Sequence, residues 1–106
     1  MSSSHKEPQR CLGDQELREF VRYARKHGLW RESFHSEVER ADRNISPDDI
    51  AYGLDREDWT LEKSELNQIR GQWKYKIRTV DIEEEQLTLL IGVDLELRRF
   101  EVISKW

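Results

Sequence analysis

Apolar residues recur at helical spacing along the first half of this chain and at alternate positions along the second. Leu17, Phe20, Val21 and Ala24 follow the i, i+3, i+4, i+7 rule and form one stripe. They predict a helix over residues 14–27. Asp14 reads as its N-cap, Glu16 suits the positive first turn, and Lys26 and His27 suit the negative last turn. Gly28 stands where a left-handed C′ residue is needed. Phe34, Val38 and Ala41 mark the buried stripe of a second helix, capped by Ser33 and stopped at Asn44. Ser46-Pro47-Asp48-Asp49 then carries the strongest local signal in the chain. Ser46 is an N-cap, Pro47 sits at N1 where its missing N–H costs nothing, and two acids face the positive helix end. Ile45 and Ile50 occupy the two positions of a hydrophobic staple. Gly53 is expected to weaken or end this short helix.

The period changes after residue 55. Trp59-Thr60-Leu61 predicts a short strand, followed by a polar loop over residues 64–71. Trp73, Tyr75, Ile77 and Thr79 alternate with Lys74, Lys76, Arg78 and Val80, a strand with one wet face. Leu87, Leu89, Ile91 and Val93 form a second strand. Leu90 makes it apolar on both faces, which places it centrally. Phe100, Val102 and Ser104 define a last strand, with Ile103 breaking its polar set. Short connections imply antiparallel neighbours. The expected class is α+β: two to three N-terminal helices packed on a three- to four-stranded antiparallel sheet. Residues 1–12, Ser-rich and polar, read as a flexible arm, and residues 13–106 as one domain.

Composition narrows the function classes. The charged fraction is 38% and the hydrophobic fraction 36%, so a small core under a heavily charged surface is expected. Cys11 is the single cysteine, which fits a reducing cytoplasm. The N-terminus lacks the apolar core of a signal peptide, and no apolar run approaches the ~20 residues of a membrane helix. A cytoplasmic protein without membrane contact is expected. Net charge is −4 but uneven: residues 18–31 carry +4, residues 37–66 carry −6, and residues 70–80 carry +4. A basic face on an acidic protein is therefore available for RNA.

Three candidates carry chemistry. His35 has a pKa suited to general acid or base work, and a helix edge facing a sheet would put it in a cleft. The alternative is a partly buried histidine satisfied by a backbone carbonyl. Arg43 lies a little over two helical turns later, on roughly the same face, where it can grip a phosphate or carboxylate; alternatively it pairs with Glu39, its i−4 neighbour. Lys74, Lys76 and Arg78 share one strand face and form an RNA-binding row, extended by Arg99 and Lys105 on a neighbouring strand, or simply a solvated face. Trp30 and Trp106 are candidate contact anchors. The histidines and the cysteine share no metal-ligand spacing, so no metal and no cofactor are expected.

From Ser33 to Trp106 the chain resembles a family of small uncharacterised bacterial domains. Their pattern is Ser-x-His-Ala, two arginine positions, then Gly-Ile-Ser or Gly-Ile-Thr opening a helix, followed by strands. The matching residues are Ser33, His35, Arg43, Ile45 and Ser46, then Lys74-Tyr75-Lys76-Ile77, Leu87 to Val93, and Val102-Ile103-Ser104. Ser36 stands in place of the alanine, Glu39 in place of the first arginine, and Asn44 in place of the glycine. The family is distantly similar to RelE-like toxins and small ribonucleases. That resemblance implies an RNA-binding or metal-independent RNA-cleaving domain, with His35 as acid or base, Arg43 on the phosphate, and an antitoxin-like protein as partner. The alternative is a non-catalytic protein-protein interaction module on a degenerate toxin fold, with a second copy of itself as partner.

Overall fold

A computed structural model of the chain describes residues 7–34, 36 and 44–106. The class is α+β. The described elements are α1 (Asp14–Lys26), β1 (Trp30–Glu32), α2 (Pro47–Asp55), β2 (Thr60–Asn67), β3 (Gln72–Val80), β4 (Gln86–Asp94) and β5 (Arg99–Lys105). The expected second helix, over residues 33–44, falls mostly outside the described residues. Its proposed first buried residue does not: Phe34 is 78% exposed, which corrects that part of the stripe.

Local chemistry explains the helix ends. In α1 the N-cap is Gly13, one residue before the expected Asp14. The Glu16 carboxylate accepts from the Gly13 N–H at 3.2 Å, and this bond with the nearby Arg10 holds the carboxyl below its usual range. Asp14 is thereby freed to pair with Arg18 at 3.0 Å, one turn on. At the other end Gly28 adopts φ +68°, and the Leu29 and Gly28 N–H groups donate to the Ala24 and Arg25 carbonyls. These two bonds form a Schellman closure. In α2 the Ser46 hydroxyl accepts from the Asp49 N–H at 3.1 Å, and the Asp49 carboxylate accepts from the Ser46 N–H at 3.0 Å. This reciprocal capping box, with Pro47 at N1 and Ile45 and Ile50 both buried, realises the predicted cap and staple.

The expected three to four antiparallel strands become five in a mixed sheet, ordered β1-β5-β4-β3-β2. β2 to β5 form an antiparallel meander with β4 central, as Leu90 implied. β1 adds the parallel pair, setting Trp30 beside Phe100 and Glu32 beside Val102. Three residues carry no usable alternation, which is why this strand is absent from the sequence reading. β2 also runs on to Asn67, where a loop was expected. A bulge at Glu62 shifts its parity, so the residues facing the helices are Leu61, Ser64 and Leu66 rather than alternate positions. No helix among the described residues is long and apolar enough to cross a membrane.

One face of the sheet meets the helices. Leu17, Val21 and Ala24 of α1 and Ile50 and Leu54 of α2 pack over Tyr75, Ile77, Leu87, Leu89, Ile91, Val93, Phe100 and Val102. Trp30 stacks on Phe100 with ring centroids 5.8 Å apart. α2 lies close on β3: the Thr79 hydroxyl donates to the Gly53 carbonyl at 2.8 Å, and Gly53 sits inside the helix rather than ending it. The expected N-terminal arm is tied down at its last residues. The Gln9 N–H donates to the Gly71 carbonyl, the Trp73 indole to the Gln9 carbonyl, and the buried Leu12 N–H to the Tyr75 hydroxyl. Burial pushes the Tyr75 phenol up to about 12, so it stays a neutral acceptor for that bond.

Candidate functional site

The opposite face of the sheet carries no described helix, and the charged rows of the strands meet there. In register across β3, β4 and β5 run Lys74, Gly92 and Glu101, with Arg31 of β1 beside Glu101. Lys76 lies beside Leu90, which lies beside Ser104. The hydrogen bonds between Trp106 and Thr88 extend β5 by one residue, and Lys76 Nζ sits 5.8 Å from the Trp106 ring.

A second bulge sets the chemistry of this face. The register slips between Leu90 and Ile91 of β4, leaving Ile103 of β5 as the extra residue. Ile103 and Ser104 therefore both face outward, and Lys105 turns inward. This accounts for the Ile103 that broke the polar set. It also corrects the extended basic platform: Lys105 lies under the helical side, with its Nζ 2.7 Å from Glu32 and 3.0 Å from the Ile45 carbonyl oxygen. β5 neighbours β4 rather than β3, so Arg99 lies two strands away from the β3 row.

The predicted row does share one face, and acids of the β2 edge answer it. Lys74 pairs with Glu65 at 3.5 Å and Lys76 with Glu62 at 3.8 Å; Arg78 also pairs with Glu62. The Glu62 bulge is what aims that carboxylate between two cations. Arg31, Lys63, Arg70, Lys74, Lys76, Arg78 and Arg99 stand on or at the rim of this face against Glu62, Glu65, Asp94 and Glu101. Among the described residues that is a net +3 on this face, in a chain whose total is −4. Arg31 and Arg70 were not singled out by the sequence, because only the turn at residues 68–71 and the missed β1 bring them here.

In the other basic segment, residues 18–31, Arg18 and Arg25 are consumed by packing, while Arg22 and Lys26 stay exposed. Arg18 lies 4.1 Å from the Trp59 ring and donates to the Glu57 and Trp59 carbonyls, and Arg25 binds Asp55 at 2.6 Å. Beside them Arg56 reaches Asp58 and Glu84, and its guanidinium holds the Asp58 carboxyl below the usual range.

His35, Arg43 and Glu39 lie outside the described residues. Their flanks are well anchored. Ser36, fully buried, donates its hydroxyl to Glu32 at 2.9 Å, and the Ser33 hydroxyl donates to the Ile103 carbonyl at 3.3 Å. Glu32 and Lys105 thus pin both sides of the segment that contains His35. Among the described residues no group of His, Cys, Asp and Glu side chains is placed to hold a metal ion.

Comparison with known proteins adds no relative: no family model, no curated protein and no solved structure matches this chain.

Proposed function

We propose that this chain is a cytoplasmic RNA-binding domain of the RelE-like toxin type, with single-stranded RNA running across the open sheet face. The observation that carries the reading is the net +3 among the described residues of that face, in a chain of net charge −4. A polyanion approaching an acidic protein is steered to a face of net positive charge. Lys74, Lys76 and Arg78 line the path, with Trp106 as a stacking ring beside them. Cleavage, where it accompanies binding, rests on His35 as acid or base and Arg43 on the phosphate, without a metal ion.

The test is fluorescence anisotropy with a labelled 12-nucleotide single-stranded RNA across a salt series. Binding is expected to weaken with salt at a log–log slope of about −0.7 per phosphate contact. Lys76→Ala/Arg78→Ala is expected to lower affinity roughly tenfold at 50 mM salt and to flatten the slope by about 1.4, for two lost phosphate contacts. In parallel, total RNA incubated in chelator should be cut by the wild type and spared by His35→Ala. RNA that neither binds at low salt nor is cut would end the reading.

One observation favours a non-catalytic interaction module instead. Glu62 and Glu65 pair all three cations of the β3 row, while Trp106 remains 48% exposed beside half-buried Leu90 and Ile103. Light scattering on the purified chain separates the two. A monomer is expected for the RNA reading. A stable dimer that buries Trp106, seen as a blue shift of its fluorescence lost in Trp106→Ala, would favour the module.

A further inference from the structure

The open face is not uniform along the strands, and this deepens the RNA reading on which it rests. At the end formed by the β2–β3 turn and the start of β5 lies a groove of about 530 Å³. That volume is in the range of small-molecule sites, about 300–1,000 Å³. Its floor is Gly92, flanked in register by Lys74 and Glu101. Its charged lining is Arg31, Arg70, Lys74 and Arg99 against Asp94 and Glu101.

Two of these cations are already engaged. Arg31 holds Glu101 through two contacts at 2.9 and 3.0 Å, and Lys74 pairs with Glu65. Asp94 is engaged too, accepting from the Glu96 and Leu97 N–H groups of its own turn. Arg70 and Arg99 are exposed, and among the described residues neither forms an ion pair. The Gln72 side chain, on the strand between them, likewise has no hydrogen-bond partner among the described residues. Two guanidinium forks and one free amide around a floor without a side chain fit one ligand chemistry: a phosphate joined to a heterocycle that offers donors and acceptors.

We propose that this groove is a nucleotide subsite, in which Arg70 and Arg99 grip phosphate oxygens, Gln72 meets the base edge, and the bare backbone at Gly92 admits the ribose. The nucleotide comes either from the RNA strand or as a free monophosphate. The same anisotropy assay distinguishes the sources, with a nucleoside 5′-monophosphate and inorganic phosphate as competitors.

Arg70→Ala/Arg99→Ala is expected to weaken RNA binding at least tenfold. Gly92→Val is expected to do the same by filling the groove. Its Cβ would meet only the Ile103 side chain, Cγ1 at an ordinary 3.7 Å and the Cδ1 end at 3.0 Å, which can turn aside, so the thermal midpoint should hold. Competition by the monophosphate but not by phosphate supports a site for a free nucleotide as well as for RNA. No competition, with both variants impaired, assigns the groove to the polymer. If both groove variants bind RNA like the wild type while Lys76→Ala/Arg78→Ala does not, the subsite is overturned and the RNA reading stands. If the wild type binds the monophosphate through Arg70 and Arg99 but no RNA, the RNA reading falls and the groove stands. If it binds neither, both fall.

Discussion

Lys105→Met is expected to be among the most destabilising single substitutions in the described fold, costing about 3–5 kcal/mol. The Lys105 and Glu32 side chains are 10% and 7% exposed, and their charged atoms lie 2.7 Å apart. Removing the ammonium leaves a carboxylate under the helical layer with, among the described residues, only the Ser36 hydroxyl to solvate it. It also removes the Nζ donor to the Ile45 carbonyl at the staple of α2. Against a typical domain stability of about 5–15 kcal/mol, that is about a fifth of the total or more. Guanidinium denaturation reads it directly. The informative companion is Glu32→Leu/Lys105→Met, which removes both charges. It should be no less stable than Lys105→Met alone, because a buried charge without a partner costs more than an apolar pair of similar volume. A Lys105→Met variant within about 1 kcal/mol of the wild type would show that water reaches the pair.

Gly53→Ala is the second large effect, and its sign opposes helix propensity. In an exposed helix the change would stabilise by about 1 kcal/mol. Here a Cβ would stand 2.6 Å from Thr79 Cγ2 and 2.9 Å from the Val80 carbonyl oxygen. The first contact is a β-branched methyl and the second is backbone, so α2 has to lift off β3. Overpacking of this kind costs about 1–3 kcal/mol, and the Thr79–Gly53 hydrogen bond is strained with it. A net loss of about 2 kcal/mol in thermal or denaturant unfolding is expected. Thr79→Ser keeps the hydroxyl and removes the methyl, so it should recover part of the loss. A Gly53→Ala protein as stable as the wild type would mean that the helix rides higher on the sheet than described.

Gly53 also shows where sequence reading runs out. A glycine inside a helical pattern reads as a stop unless the reader knows what lies across from it, and Thr79 lies 26 residues away. Signals that are complete within a short stretch of chain were legible: the Ser46 N-cap and its staple, the Gly28 closure, the stripe of α1, and the alternation of β3 and β4. Features set by a bulge were not. Two strands with one extra residue each, Glu62 and Ile103, reverse the parity that alternation assumes. One reversal hides most of β2, and the other moves Lys105 from the expected platform into the interior. For the candidate site, the β3 row was legible as a shared face. Its acidic partners on β2 and the pairing of Arg31 with Glu101 were not, because cross-strand neighbours come from register, which local pattern does not fix.

The parallel pair between β1 and β5 has a consequence for the order of assembly. Arg31 and its partner Glu101 are 70 residues apart. During synthesis β1 emerges early and finds no edge to join until β5 has been made and paired with β4. The meander can close through short local hairpins, whereas β1 bears the entropy of a long loop for only three residues of pairing. The edge strand therefore docks last, and with it come Glu32, its bond to Lys105, and the anchor of the segment holding His35. A newly made chain closes its antiparallel meander before it anchors the residues that flank His35.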